Sequence, residues 1–165
     1  TTELLQTANY LSSILDELLP VAMVPTTIFI LSAATAFATG TSWGTMGIFY
    51  PIVVPLVWQI LSINGVADPE HFYILYSSIA CVLCGAVWGD HCSPISDTTI
   101  MSSMASGCDH IDHVTTQLPY ALVVASIALL LGTIPTGFGF PAWIMILIGL
   151  VTVVSLVFIL GKKVD

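Results

Sequence analysis

Apolar residues come in long blocks along this chain, without the alternation of a strand or the narrow stripe of a soluble helix. Two blocks are uninterrupted: residues 117–134, "QLPYALVVASIALLLGTI", and residues 142–160, "AWIMILIGLVTVVSLVFIL". Each supplies roughly the 20 residues that a helix needs to cross hydrocarbon. The "PTGFGFP" between them reads as a Pro/Gly turn. Pro119 is placed in the first turn of its predicted helix, where a missing N–H costs least.

Two earlier blocks, 21–61 and 72–107, are too long for one plain span and are broken in the middle. The first is interrupted by "TGTSWGTMG" and the second by "GDHCSPISDTT", which predicts broken spans or re-entrant hairpins. "SINGVADPEH", 62–71, is polar enough to lie in water. Residues 40–44 and 85–89 both read G-x-x-W-G, with Ser32 and Ser77 in the same register. The match predicts either a repeat or two places of close helix packing. Residues 1–20 place Leu4, Leu5, Leu11, Ile14, Leu15 and Leu18 at helical spacing against Glu3, Gln6, Asn9 and Asp16. That pattern predicts an amphipathic helix ended by Pro20.

Composition settles the solvent. The chain is 165 residues long, 56% hydrophobic and 7% charged, with a mean hydropathy of +0.99. A soluble domain is about a quarter charged. The expected fold is therefore all-α: a polytopic membrane protein with broken or re-entrant helices. A net charge of −8 and the lack of a basic patch exclude nucleic acid as a partner. The two basic residues, Lys162 and Lys163, follow the last span and predict a cytoplasmic C-terminus. Residues 109–113 then fall inside and 135–141 outside. Cys81 and Cys84 form a C-x-x-C within an apolar run, and no second pair completes a zinc site. They read as small packing residues. The chain opens without Met or a signal peptide and reads as the C-terminal portion of a longer protein.

Against that apolar background one run stands out. "WGDHCSPISDTTIMSSMASGCDHIDHV", 88–114, holds four of the ten acidic residues and three of the four histidines. Backbone breaks and charges are both costly at membrane depth, and they coincide where polar species cross. Gly89 loosens the backbone before Asp90, and Pro94 suits the first turn of a new helix with Ser93 as its cap. Half-helices meeting at such a break build cation sites. Asp90 and Asp97, with Ser93, Ser96 and Thr98, offer hard oxygens suited to transient sodium or to protons. A desolvated carboxylate can hold either, which is the chemical requirement for exchange.

Plainer readings compete. Asp90 suits a helix end at the water boundary, and Asp97 suits a helix dipole. Thr39, Thr41 and Ser42 either complete the site opposite Asp90 or bond back to their own helix. His91 is a proton relay or an orienting group. Asp109, His110, Asp112 and His113 form a pH-sensing cluster or a solvated loop. His71, beside Asp68 and Glu70, reads as inert. A metalloenzyme would need a ligand spacing that is not present.

"GDHCSPISDTTIMSS" followed by "GCDHIDHVTTQLPYAL" resembles the C-terminal motif of the NhaC-type sodium/proton antiporter family. "ATGTSWGTMGIFYPIVVPL" is similar to that family's other polar interruption, and the likeness covers 25–125. The resemblance implies a non-enzymatic secondary transporter of a bacterial or archaeal cytoplasmic membrane, built from inverted repeats and working by alternating access without a cofactor. It implies sodium and protons as cargo. It places Asp90, Ser93, Asp97 and Thr98 on the ion pathway, with Thr39, Thr41 and Ser42 opposite. The chain then corresponds to one half of such a transporter, with a first repeat upstream; homo-oligomerisation stays open. Related exchangers of malate, lactate or amino acids form the nearest rival, disfavoured by the lack of any Arg. A structural membrane subunit is the rival from another class.

Overall fold

The computed structural model describes residues 20–161, and no strand occurs among the described residues. A single turn, Val21–Met23, leads into α1 (Val24–Thr39). There follow α2 (Ser42–Ile63), α3 (Phe72–Cys92), a short α4 (Asp97–Ser106), α5 (His110–Ile127) and α6 (Ala142–Leu160). α5 continues through a π-helical turn, Ala128–Thr133, into Ile134–Gly137. Five rods are long and apolar enough to cross a membrane: Val21–Thr39, α2, α3, His110–Gly137 and Ala142–Ile159. The chain is an all-α polytopic membrane protein. The amphipathic helix expected over 1–20 and the lysines used for orientation lie outside the described residues, apart from Pro20.

Both interrupted blocks break where their Gly, Pro and hydroxyl residues cluster. In the first, Gly40 adopts φ 67°, a left-handed conformation open to glycine, and its N–H closes α1 on Ala36 O. Thr41 then caps α2 by accepting the Gly44 N–H. The chain folds back here. At one end of α3, Trp58 lies against Phe72 with the rings tilted and their centroids 5.9 Å apart; at the other, Ser42 meets Asp90. α2 therefore runs antiparallel to α3. α1 runs parallel to α3, since Phe29 faces Gly85, Ala33 faces Gly89 and Phe37 faces Ser93. Block 21–61 is thus two helices of spanning length.

Two glycines let α1 and α3 touch. A Cβ on Gly85 would sit 2.5 Å from Phe29 O, and one on Gly89 would overlap Ala33 O. Around this seam Ala36, Val57, Leu61, Val82 and Ala86 are wholly buried. The G-x-x-W-G word at 85–89 thus serves close packing. The same word at 40–44 supplies the turn and leaves Trp43 82% exposed, so the two do not form a structural repeat.

α5 starts at His110, ahead of the apolar run, because Asp109 accepts the N–H groups of Ile111 and Asp112. Pro119 consequently lies inside the helix and not in its first turn. In the π-helical turn the Ile134 N–H reaches back to Leu129 O, and the Thr133 hydroxyl lies 3.1 Å from that of Thr26 on α1. α6 covers the second plain run and exposes Trp143, Val151 and Phe158, as a lipid-facing helix does. A cavity of about 570 Å³ between α3, α5 and α6 is lined almost wholly by apolar atoms, with Cys81 and Cys84 on its wall.

The polar loop before α3 is tied by Asp68, which accepts the N–H groups of Glu70 and His71. The His71 ring nitrogen lies 2.8 Å from the same carboxylate oxygen. The hydrogen bond from His71 holds the Asp68 carboxyl below the usual carboxylate range. That contribution is present above the ordinary carboxylate pKa and is lost as pH falls through the lowered value.

Candidate cation site

Asp90 sits in the last turn of α3, two residues before its end at Cys92, in a helix about 31 Å long, and not at its middle. It is 8% exposed. Its two oxygens take hydroxyls from different interruptions: Ser96 Oγ donates to Oδ1 at 2.7 Å, and Ser42 Oγ, from the first residue of α2, donates to Oδ2 at 3.2 Å. The carboxylate therefore marks the place where the two helix breaks meet.

Local rules explain why they meet. Ser93 precedes a proline and is extended, with ψ 130°, which ends α3. The expected restart at Pro94 with Ser93 as cap is displaced by three residues, to Asp97 with Ser96 as cap. Ser96 is extended, and its hydroxyl accepts the Thr98 N–H at 3.2 Å. Ser93, released from capping, donates to Phe37 O at 2.7 Å, a carbonyl left open at the end of α1. Gly40 completes the contact, because a Cβ there would lie 2.9 Å from the Ile95 carbonyl oxygen.

Proton counting orders the network. Ser96 has one hydroxyl proton, which goes to Asp90. The Thr98 hydroxyl, 2.8 Å from Ser96 Oγ, must then be the donor in that pair. The chain runs Thr98 to Ser96 to Asp90, from an exposed residue to a buried one. Neither lysine of the sequence lies among the described residues and arginine is absent, so no basic side chain of that kind balances Asp90 there. The adjacent His91 ring turns to Gln117, whose Nε2 lies 2.7 Å from His91 Nε2.

The other predicted residues fall around this pair of breaks. Asp97 stands exposed in the first turn of α4. Thr39 donates to Thr35 O in its own helix, and Thr41 spends its hydroxyl on the α2 cap. Asp109 caps α5, with Asp112 in the first turn and His113 half-buried beside it. His110 reaches back to the break, with Nε2 2.7 Å from Pro94 O. Two residues outside the predicted site set also brace the site. Thr99 and Gln117 both donate to His91 O, at 3.1 Å each. Gln117, a polar residue at the head of an apolar run, carried a signal; Thr99 looked like any other hydroxyl. Among the described residues no group of three or more His, Cys, Asp or Glu side chains is placed to hold a metal. The oxygens around Asp90 are hydroxyls, suited to an alkali ion or a proton.

Ser96→Ala removes both the shorter bond to Asp90 and the α4 cap. It is expected to lower stability by about 2–3 kcal/mol, against about 1 kcal/mol for Ser42→Ala. Thermal unfolding of the purified full-length protein measures both.

A membrane helix bundle that holds a buried carboxylate between two helix breaks has the architecture of a secondary transporter. The chain belongs to the Na+/H+ antiporter family, whose model matches residues 1–138. An uncharacterized protein of Haemophilus influenzae is 43% identical over 159 residues, 96% of this chain and 28% of its own length. An uncharacterized Na(+)/H(+) antiporter of the same organism is 32% identical over 110 residues, 64% of this chain and 21% of its own. An arginine/ornithine antiporter of Halobacterium salinarum is 35% identical over 117 residues, 71% and 22% respectively. The chain thus spans less than a third of the length of these relatives. No solved structure matches it.

Proposed function

We propose that the full protein is an NhaC-type antiporter that exchanges sodium for protons by alternating access across a bacterial or archaeal cytoplasmic membrane. One observation carries this reading. Asp90 is buried between serine hydroxyls from two helix breaks, and no lysine or arginine among the described residues balances its charge. A buried carboxylate without a counter-charge calls for a cation or a proton.

Each occupant suits the network. Sodium takes hard oxygens from Asp90, Ser42 and Ser96, and Thr98 bonds Ser96 from outside. A proton on Asp90 reverses the chain: Asp90 donates to Ser96, Ser96 donates to Thr98, and the Thr98 hydroxyl proton turns outward; when it leaves, each proton behind it moves one oxygen along, which leaves Asp90 ionised and restores the first order. Occupancy is mutually exclusive because both compete for the same oxygens. Asp97 opens α4 directly after the second break, Thr39 and Thr41 flank the first break, Ser93 lies in the second, and His91 at the end of α3 and Asp109, Asp112 and His113 at the start of α5 supply titratable groups.

The name of the Halobacterium relative supports a second reading, in which Asp90 receives the ammonium group of an amino acid. Reconstituted full-length protein separates the two. With a pH-sensitive dye inside the vesicles, a sodium gradient alone is expected to move protons, and malate, lactate, arginine or ornithine to add nothing. Proton movement that requires one of these solutes would replace the first reading by an exchanger of that solute.

A further inference from the structure

We infer that His110 is a positioning residue whose protonation latches the Ser93–Ser96 break against α4 and α5. His110 is the first residue of α5, and it is half-buried. Its Nε2 lies 2.7 Å from Pro94 O, in the middle of the break, and its Nδ1 lies 3.2 Å from the hydroxyl of Ser103 on α4. Ser103 is buried, and its hydroxyl is also 2.8 Å from Ile100 O.

The number of protons decides what these contacts can be. Pro94 O only accepts, so Nε2 must carry a proton to bond it. Ser103 has one hydroxyl proton. If that proton goes to Ile100 O, Ser103 can only accept from Nδ1, and His110 must be protonated at both nitrogens. If His110 is neutral with its proton on Nε2, Ser103 must leave Ile100 O to donate to Nδ1. The other neutral tautomer loses Pro94 altogether. Only the imidazolium makes all three bonds at once, and its bond to Pro94 O is charge-assisted. Pro94 lies between Ser93, which holds Phe37 O, and Ser96, which holds Asp90. A latch on Pro94 therefore steadies both attachments.

The surroundings allow histidine to act in this way. The break itself carries no titratable side chain, and α4 carries Asp97 at its start. Cys108 and Asp109 precede His110, with Asp112 and His113 following on its own helix. α3 ends in Asp90, His91 and Cys92, where Asp90 bonds the serines and His91 faces Gln117. Histidine changes charge between about pH 5 and 8, the range in which a proton exchanger works.

The inference deepens the proposed function, and its test does not need transport. Ile95, in the break, is 59% exposed. In full-length protein with its other cysteines replaced, maleimide labelling of Ile95→Cys is followed from pH 5.5 to 8.5, as a ratio to the rate at Ile63→Cys (Ile63 is 52% exposed at the end of α2). The ratio is expected to rise about tenfold with pH, the weight of one hydrogen bond from a charged donor. His110→Gln can donate to Pro94 only as a neutral group and cannot titrate, so its ratio should be flat and close to the value that the unaltered protein reaches at pH 8.5. His110→Ala should give a fast, flat one. A flat ratio with His110 intact, or an unchanged slope in His110→Gln, overturns the latch. Loss of transport in Asp90 variants with the slope intact would leave it standing.

Discussion

Asp90→Asn is expected to abolish sodium-driven proton movement in the full-length protein while leaving the fold in place. Asparagine has nearly the same shape. Its oxygen still accepts from Ser96, and its amide can donate to Ser42, whose hydroxyl can turn to accept. The break therefore keeps its two attachments. Removing a buried charge that lacks a basic partner costs the fold little and can stabilise it. The change removes the group that sodium and the proton share, and a neutral amide neither titrates nor balances a cation. Transport should fall at least about a hundredfold, roughly 2.7 kcal/mol of lost interaction. The measurement is the rate of dye response to a sodium gradient, with the thermal unfolding midpoint as the fold control. Near wild-type exchange by a well-folded Asp90→Asn protein would remove Asp90 from the mechanism.

Gly89→Ala should fail for the opposite reason, by damaging the frame around an intact carboxylate. Its new methyl group would overlap Ala33 O, which belongs to helix backbone and cannot swing aside. α1 and α3 must separate, and Ser93 is then drawn off Phe37 O. Overpacking of this kind costs about 3 kcal/mol, at the upper end of its usual range. Gly47→Ala is the control, since nothing lies within 4 Å of the added carbon. It should be neutral or gain about 0.5 kcal/mol from helix propensity. Thermal unfolding of the two variants side by side measures the contrast. Similar midpoints would mean that the α1–α3 seam is looser than the glycine contacts require.

Much of the site could be read from sequence because its signals are local. Gly40 and Pro94 mark chain breaks by backbone sterics alone, and the density of Asp and His after Trp88 is visible in an apolar chain. Capping was harder to assign. Ser93 and Ser96 are equally good caps by residue type, and the choice went to Ser96 while Ser93 faced an open carbonyl of α1, fifty-six positions earlier in the chain. The same competition explains the hydroxyls opposite. Thr39, Thr41 and Ser42 lie within four positions of one another, yet only Ser42 extends to Asp90. His110 could be seen as titratable, but its bond to Pro94 could not be, because it depends on α4 doubling the chain back.

By itself, the sequence determined that this protein lives in a bilayer, that it is helical, and where its helices break. Those properties follow from hydropathy, hydrogen-bond satisfaction and the stereochemistry of glycine and proline, which act over a few residues. Only the tertiary structure decided that residues 21–61 fold back as two helices and that both breaks arrive at one carboxylate. That outcome rests on α1 and α3 meeting backbone to backbone at Gly85 and Gly89, a contact whose cost and benefit depend on residues far apart along the chain.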